Sequence, residues 1–418
     1  LSERVEAPWS LGAAEKWAVF LPALGLRLAG VAFVRARGLR FGDARAYVET
    51  AEFLLRTGGY PARSDHSGFR APGYPVFLLV STFGHPGALL WDQLVNAALG
   101  ACGAVMLAAI AVRVLGGRRA ALGVGLAAAV HPAFLWLSSG VQSEPLFMVL
   151  LLGAGFLLLV AVDRPSSGMA LASGGALGLA ALTRPSALAL FPFLAAPLFD
   201  RAFPPRIRAA LAGSAFVGAV LVLAPWTIRN AIVHRAFLPV DDAAGFVFLQ
   251  GNGPNAASYY RLHDAREYEA WLGAFGTEAR TGFRSIPGAS DPNPGRRSAA
   301  FLAEARRWIR SHPREEVWLL ARKAGDWLRP WPSRFVRGPG VRFVVGAEYT
   351  LLCALAAVGF ATASRPGVAL FCGAVLVVTM ATHVVFEVVW RYRMPYWDPI
   401  LLLYAAGGIR RLAVRRAA

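Results

Sequence analysis

LLWDQLVNAALGACGAVMLAAIAVRVL, residues 89–115, is an apolar block long enough to cross a bilayer as a helix. The hydrocarbon layer, about 30 Å thick, asks for roughly 20 apolar residues. Blocks of the same kind recur outward from it in both directions. The expected spans are 17–34, 89–115, 120–137, 144–162, 168–183, 185–199, 209–225, 343–363, 366–387 and 395–409. The pair flanking Arg184–Pro185 is short and reads as a tight hairpin or as two half-depth helices. Tyr74–Phe83 is shorter still and reads as an interfacial or re-entrant helix. The expected fold class is an all-α polytopic membrane protein, a bundle of about ten transmembrane helices.

Composition agrees. Of 418 residues, 56% are hydrophobic and 16% charged, against about a quarter charged in soluble domains. A net charge of +18 raises the question of nucleic acid. No nucleic-acid partner is expected, because the arginines do not form one basic face with interleaved aromatics. They sit mostly in short loops, where they orient spans and meet anionic membrane lipids. Lys16 and Lys323 are the only lysines, a skew that fits a GC-rich bacterial genome. Cys102, Cys353 and Cys372 lie in apolar segments without metal-ligand spacing and read as small core residues. Trp17–Val34 lacks a small-residue cleavage site and reads as a retained first span.

Loop charge sets the expected topology. RVLGGRR (113–119), DRPSSG (163–168), DRAFPPRIR (200–208), Ser364–Arg365 and the tail RRLAVRR (410–416) fall on one side. SSGVQSE (138–144), on the other, carries no positive charge. The positive-inside rule then puts both termini in the cytoplasm of a bacterial inner membrane. Three parts follow: a transmembrane module, 1–225, with its first outer loop at 35–88; a mainly helical extracytoplasmic segment, 226–342; and C-terminal spans, 343–418. The 35–88 loop is arginine-rich although it lies outside, so its arginines are expected to serve something anionic. Within 300–331, AFLAEARRWIRSHPREEVWLLARKAGDWLRPW repeats Ala, Leu and Trp at steps of three and four, giving amphipathic helices broken near Pro313.

The out-of-place polar residues all fall on that outer side. Asp43 and Tyr47 lie in FGDARAYVETAEFLL (41–55), and Arg70 and Tyr74 in GFRAPGYP (68–75). Glu144 opens a span in VQSEPLF, Arg184 ends another, and Arg229 and Asn230 follow the seventh in APWTIRN (224–230). Glu387, Arg391 and Arg393 precede the last in FEVVWRYRMPYWDP (386–399). Asp43 has two readings: an N-cap accepting free helix amides, or a partly desolvated base for an attacking hydroxyl. Arg70 either snorkels to headgroups or clamps a phosphate bidentately. Glu144 either caps its helix or joins the polar set. A cluster of arginines without an anion repels itself, which favours a shared anionic ligand. Histidines at 66, 131, 234, 263 and 383 show no HExxH or paired spacing, so no metal site is expected from them. Walker A, GxGxxG and GxSxG motifs are absent, which argues against an ATPase, a nucleotide-sugar fold and a serine hydrolase.

The order of these landmarks resembles the GT-C superfamily of polytopic glycosyltransferases. The likeness is to the branch of protein O-mannosyltransferases and lipid A aminoarabinose transferases. It runs from Asp43-x-x-x-Tyr47, through Phe69 to Tyr74, Ser143-Glu144, Thr183-Arg184-Pro185, Pro225-Trp226-x-x-Arg229-Asn230 and Gly251-Asn252, to Arg391-Tyr392-Arg393-x-Pro395. The resemblance implies an inverting transfer of sugar from a polyprenyl-phosphate donor to an acceptor hydroxyl on a glycan, lipid or protein. It implies Asp43 as catalytic base and Arg70 as holder of the carrier phosphate. Arg-Ala-Pro stands here where the aminoarabinose enzymes have Lys-Pro-Pro. Asp43-Ala44 stands where many relatives have Asp-Glu, so a divalent metal is not indicated. The competing reading is a transporter or flippase for a lipid-linked sugar or another anionic metabolite. Such proteins usually show two related halves with binding residues near the midplane. No such duplication is visible.

Overall fold

The computed structural model describes residues 10–39, 43–60, 70–262, 267, 286–330 and 339–417. Phe41, Gly42, His66, Phe69, His263 and Trp331, which the sequence reading includes, lie outside them, as does the leader before Ser10. Among the described residues all regular structure is helical. In chain order the helices are α1 (Ala13–Ala36), α2 (Ala44–Thr57), α3 (Gly73–Ser81), α4 (Leu89–Leu115), α5 (Arg118–Val130), α6 (Pro132–Ser138), α7 (Glu144–Asp163) and α8 (Ser167–Thr183). A 3-10 segment, Pro185–Phe199, precedes α9 (Pro205–His234), α10 (Ala243–Gly251) and α11 (Pro254–Arg261). Then come α12 (Pro294–Ser311), α13 (Pro313–Leu328), α14 (Pro339–Ala361), α15 (Pro366–Val385), α16 (Trp390–Arg393) and α17 (Trp397–Ala417).

The chain is a multi-pass membrane protein, but its spans are less uniform than the apolar blocks. Among the described residues six helices, α1, α4, α7, α9, α14 and α15, are long and apolar enough to cross, or seven if the bent pair α5–α6 counts as one. That pair bends by 56° where Pro132 begins α6. Proline has no N–H to carry the helix through, and Arg27 of α1 takes up two carbonyls near the break. Its guanidinium is fully buried and donates to Ala128 O and Ala129 O, each at 3.3 Å.

The two short blocks beside Arg184 differ from each other. Helix α8 has 17 residues and reaches only about 25 Å at 1.5 Å per residue. The 3-10 segment has 15, yet at roughly 2.0 Å per residue it extends about 30 Å. Pro192 and Pro197 inside it withhold the donors an α-helix would need. Helix α17 carries Asp398 in its first turn and an arginine-rich end, which sets it apart from the six apolar spans. Helix α9 runs past the expected boundary at 225 with Pro225 inside it. Arg229 and Asn230 therefore sit on its last turns rather than in a following loop.

Lipid tails are as apolar as leucine, so close backbone packing has to hold such helices together. Helices α8 and α9 show how. A Cβ on Gly174 would sit 1.7 Å from Ala215 O, and one on Gly218 1.9 Å from Leu171 O. One apolar cluster joins α1, α4, α5, α14 and α17 around Val19, Ala108, Val124, Leu352 and Tyr404. A second joins α7, α8, the 3-10 segment and α9 around Phe147, Leu177, Leu190 and Leu211. At the end of the bundle where α1 stops and α4 begins, α2 buries Tyr47 and Ala51 and exposes Leu55. Helices α12 and α13 break at His312–Pro313, as the sequence pattern requires.

Candidate active site

Asp43 stands at the N-cap position of α2, but its side chain caps nothing. Its Oδ1 accepts from Arg70 Nη2 at 2.7 Å, and its Oδ2 accepts from Arg391 Nη2. The two arginines reach it from the turn before α3 and from the single-turn helix α16. Burial pushes the Asp43 carboxyl up, but Arg391 and Arg70 outweigh that and hold it at about 2. The same carboxylate contributes to holding both guanidiniums above their ordinary range, against the opposing effect of burial.

Helix α7 supplies a second carboxylate. Glu144 is buried, and its Oε1 lies 3.0 Å from Arg184 Nη1 and 3.6 Å from Arg391 Nε. Arg184 Nη1 also donates to Ser143 Oγ at 3.0 Å, and its guanidinium lies 4.9 Å from the Tyr392 ring centroid. Arg391 Nη1 donates to Gln142 Oε1 at 3.0 Å. Tyr47 presents its ring to Arg70 at 5.1 Å and its hydroxyl to Ser143 Oγ at 3.1 Å. Tyr74 packs edge-on against Tyr47 and accepts a hydrogen bond from Asn96 at 2.8 Å. Three guanidiniums, of Arg70, Arg184 and Arg391, thus face two carboxylates, of Asp43 and Glu144.

Glu387 follows α15 beside the same cluster. Burial pushes its carboxyl up to about 7, Arg391 and Lys323 oppose this, and Asp43 adds to it. Lys323 of α13 is buried and donates to Gly251 O at 3.0 Å and to Asn252 Oδ1 at 2.6 Å. Burial lowers its ammonium to about 8, while Glu316 and Glu387 pull the other way. Gly251 also lets the Phe386–Glu387 backbone come close, since a Cβ there would lie 1.6 Å from Phe386 O.

The remaining sequence candidates are set apart. Arg229 Nη2 donates to Tyr60 O at 2.9 Å, and Tyr60 in turn donates its hydroxyl to Arg70 O at 2.7 Å. Arg229 therefore braces the Arg70 turn. Asn230 is buried and donates to Leu238 O and Val240 O, each at 3.0 Å, tying down the chain after α9. Arg393 is not part of the cluster. Its Nη1 donates to Trp327 O and Arg329 O at 2.7 Å, and its guanidinium sits 3.9 Å from the Tyr349 centroid. Positions two apart on a helix point in different directions, so Arg391 and Arg393 cannot serve one site. Gln142 and Lys323 belong near the cluster; Gln142 has only the adjacent Ser143-Glu144 as a sequence signal, and Lys323 lies 71 residues from the Asn252 it holds.

Among the described residues no group of three His, Cys, Asp or Glu side chains is placed to hold a metal. The Asp43 oxygens do not fit a divalent cation, which would have to displace the two guanidiniums bound to them.

No protein-family model matches the chain, and no curated protein matches it in sequence. Solved structures do match. The Archaeoglobus fulgidus oligosaccharyltransferase AglB, in complex with an inhibitory peptide and a dolichol-phosphate, superposes with TM-score 0.55 at 13% identity, over 96% of this chain and 51% of its own. The chain has the GT-C fold. The same enzyme tethered to an acceptor peptide containing the NVT sequon gives TM-score 0.55, 13% identity and coverages of 96% and 50%. The chain spans about half the length of that oligosaccharyltransferase. ArnT from Cupriavidus metallidurans, bound to undecaprenyl phosphate, covers 96% of the chain and 79% of its own at 17% identity. Its TM-score is 0.44, and it adds nothing to the first likeness.

Proposed function

We propose that this GT-C protein transfers a sugar from a polyprenyl-phosphate carrier to an acceptor hydroxyl, with Asp43 as base and Arg70, Arg184 and Arg391 as the phosphate seat. The observation that carries the reading is the double grip of Arg70 and Arg391 on Asp43. It is a phosphate-shaped pair of guanidiniums already occupied by a carboxylate. Below it, an apolar groove of about 180 Å³ begins at Tyr396 and runs between α4, α7, α8, the 3-10 segment, α15 and α17 past Leu151, Leu177 and Val375. Tyr396 packs on Phe147, and Arg184 lies over the same Phe147 ring at 5.9 Å. A prenyl tail in the groove would present its phosphate to these arginines. AglB was solved with dolichol-phosphate, a carrier of this class.

The arrangement suggests an exchange. Donor phosphate oxygens take the N–H groups of Arg70 and Arg391, and Asp43 loses the partners that hold it at about 2. Its basicity rises when the donor is in place. Asp43 then accepts the proton of the acceptor hydroxyl while that oxygen bonds to the anomeric carbon. The carbon–phosphate-oxygen bond breaks, its electron pair leaves with the phosphate, and the configuration inverts through an oxocarbenium-like state. The guanidiniums stabilise the charge developing on the phosphate. Loop arginines at the opposite end of the bundle support an extracytoplasmic site in a bacterial inner membrane. The charges gather at one end rather than at the midplane, which speaks for transfer over transport.

The test is purified protein with synthetic, labelled polyprenyl-phosphate sugars and a membrane fraction as acceptor source. Label should move to the acceptor, and Asp43→Asn should slow that step about 10²–10⁴-fold. Full activity in a properly inserted Asp43→Asn protein would remove the base from the scheme.

A further inference from the structure

At the other end of the bundle, α4, α14 and α17 surround a cavity of about 540 Å³. Arg113, Arg365, Arg410 and Arg411 line it, together with Thr362 and Tyr404. Asp163 holds two of these arginines in place, Arg113 at 3.1 Å and Arg365 at 2.9 Å. Arg365 also reaches Arg113 O at 3.4 Å, and Arg410 donates to Leu115 O at 2.6 Å. Asp163 is the one carboxylate that the described ion pairs give these four arginines. Like charges gathered this closely call for an anion.

The cavity borders the apolar interior. Val114 lines both it and the membrane-side groove, whose near end is Leu159, Val368 and Leu403. An occupant with a phosphate at one end and a hydrocarbon chain at the other satisfies both surfaces. A Cβ on Gly359 would sit 1.8 Å from Tyr404 O, so α14 and α17 touch through backbone along one line.

We infer that this cavity is a second lipid site, taking the phosphodiester headgroup of an anionic glycerophospholipid in the leaflet opposite Asp43. Basic pockets between spans bind such headgroups, and each arginine close to an anionic lipid surface contributes about a five-fold factor. The inference stands apart from the transfer reaction, since none of its residues touches the Asp43 cluster.

The test is native mass spectrometry and thermal unfolding of delipidated protein, titrated with phosphatidylglycerol, phosphatidylcholine or inorganic phosphate. Phosphatidylglycerol should bind and raise the unfolding temperature, and the other two should not. Arg410 and Arg411 are exposed, so the double variant Arg410→Gln/Arg411→Gln leaves the Arg113–Asp163–Arg365 bridge intact. It should keep the lipid-free unfolding temperature and weaken phosphatidylglycerol about 25-fold. Equal binding of phosphatidylcholine overturns the inference, as does unchanged phosphatidylglycerol binding by the variant. Inorganic phosphate binding as well as the lipid would make it a free-anion site and overturn it too.

Discussion

Asp43 and Arg391 stand 348 positions apart in the chain and share a charge-assisted hydrogen bond that closes one end of the bundle. The first loop and the last loop meet through that bond, with Arg70 on the other carboxylate oxygen. Removing one partner leaves a partly buried carboxylate with half its counter-charge.

Arg391→Gln should therefore lose activity. Transfer should fall about 10²-fold or more, as for loss of one preorganised donor. Arg391→Lys keeps the charge but not the fork that reaches Asp43 and Gln142 together, and its activity should lie between wild type and Gln. Initial rates with labelled donor would check the order.

The Asp43 pair also makes a prediction in acid. Its folded-state value, about 2, lies below the ordinary 3.8. The stability it contributes is present above about pH 4 and disappears as pH falls toward 2. Asp43→Asn should flatten that acid limb of the unfolding curve, read as unfolding temperature against pH in detergent.

Glu387 has the opposite sign. Its folded value, near 7, lies above the ordinary 4.5. Below pH 4.5 it costs nothing; as pH rises from 4.5 to 7 the buried site increasingly opposes ionisation, and the loss of stability is complete above that. Glu387→Gln should thus gain unfolding temperature relative to wild type at pH 8 and not at pH 4.5. An equal difference at both pH values would count against a proton held there.

Arg393 separates structure from chemistry. Its substitution by Ala strands the carbonyls of Trp327 and Arg329 and should cost about 1–3 kcal/mol for each acceptor left buried. The protein that still folds should bind donor as wild type does. Comparison of unfolding temperature with the KM for donor tests this, because a phosphate-binding role would raise KM.

Much of the site is legible in the sequence because a charge is costly in an apolar chain. Asp43, Arg70, Glu144, Arg184 and Arg391 stand out for that reason, and the fold brings them within hydrogen-bonding or ion-pair distance. Direction is not legible. Arg391 and Arg393 read alike, and only the one-turn helix α16 turns one toward Asp43 and the other toward Tyr349. Hydropathy also cannot distinguish an α-helical span from a 3-10 segment such as Pro185–Phe199, or show that α9 continues through Pro225. Lys323 escapes notice because its burial depends on α13 docking against the Gly251 turn, a contact made across 72 residues.

The exchange between Asp43 and a lipid phosphate is most directly tested by the affinity of polyprenyl phosphate, without sugar, for wild type and Asp43→Asn. If the carboxylate and the phosphate compete for Arg70 and Arg391, the Asn protein binds the lipid more tightly while its transfer rate collapses. Unchanged or weaker binding, with transfer intact, would contradict the account.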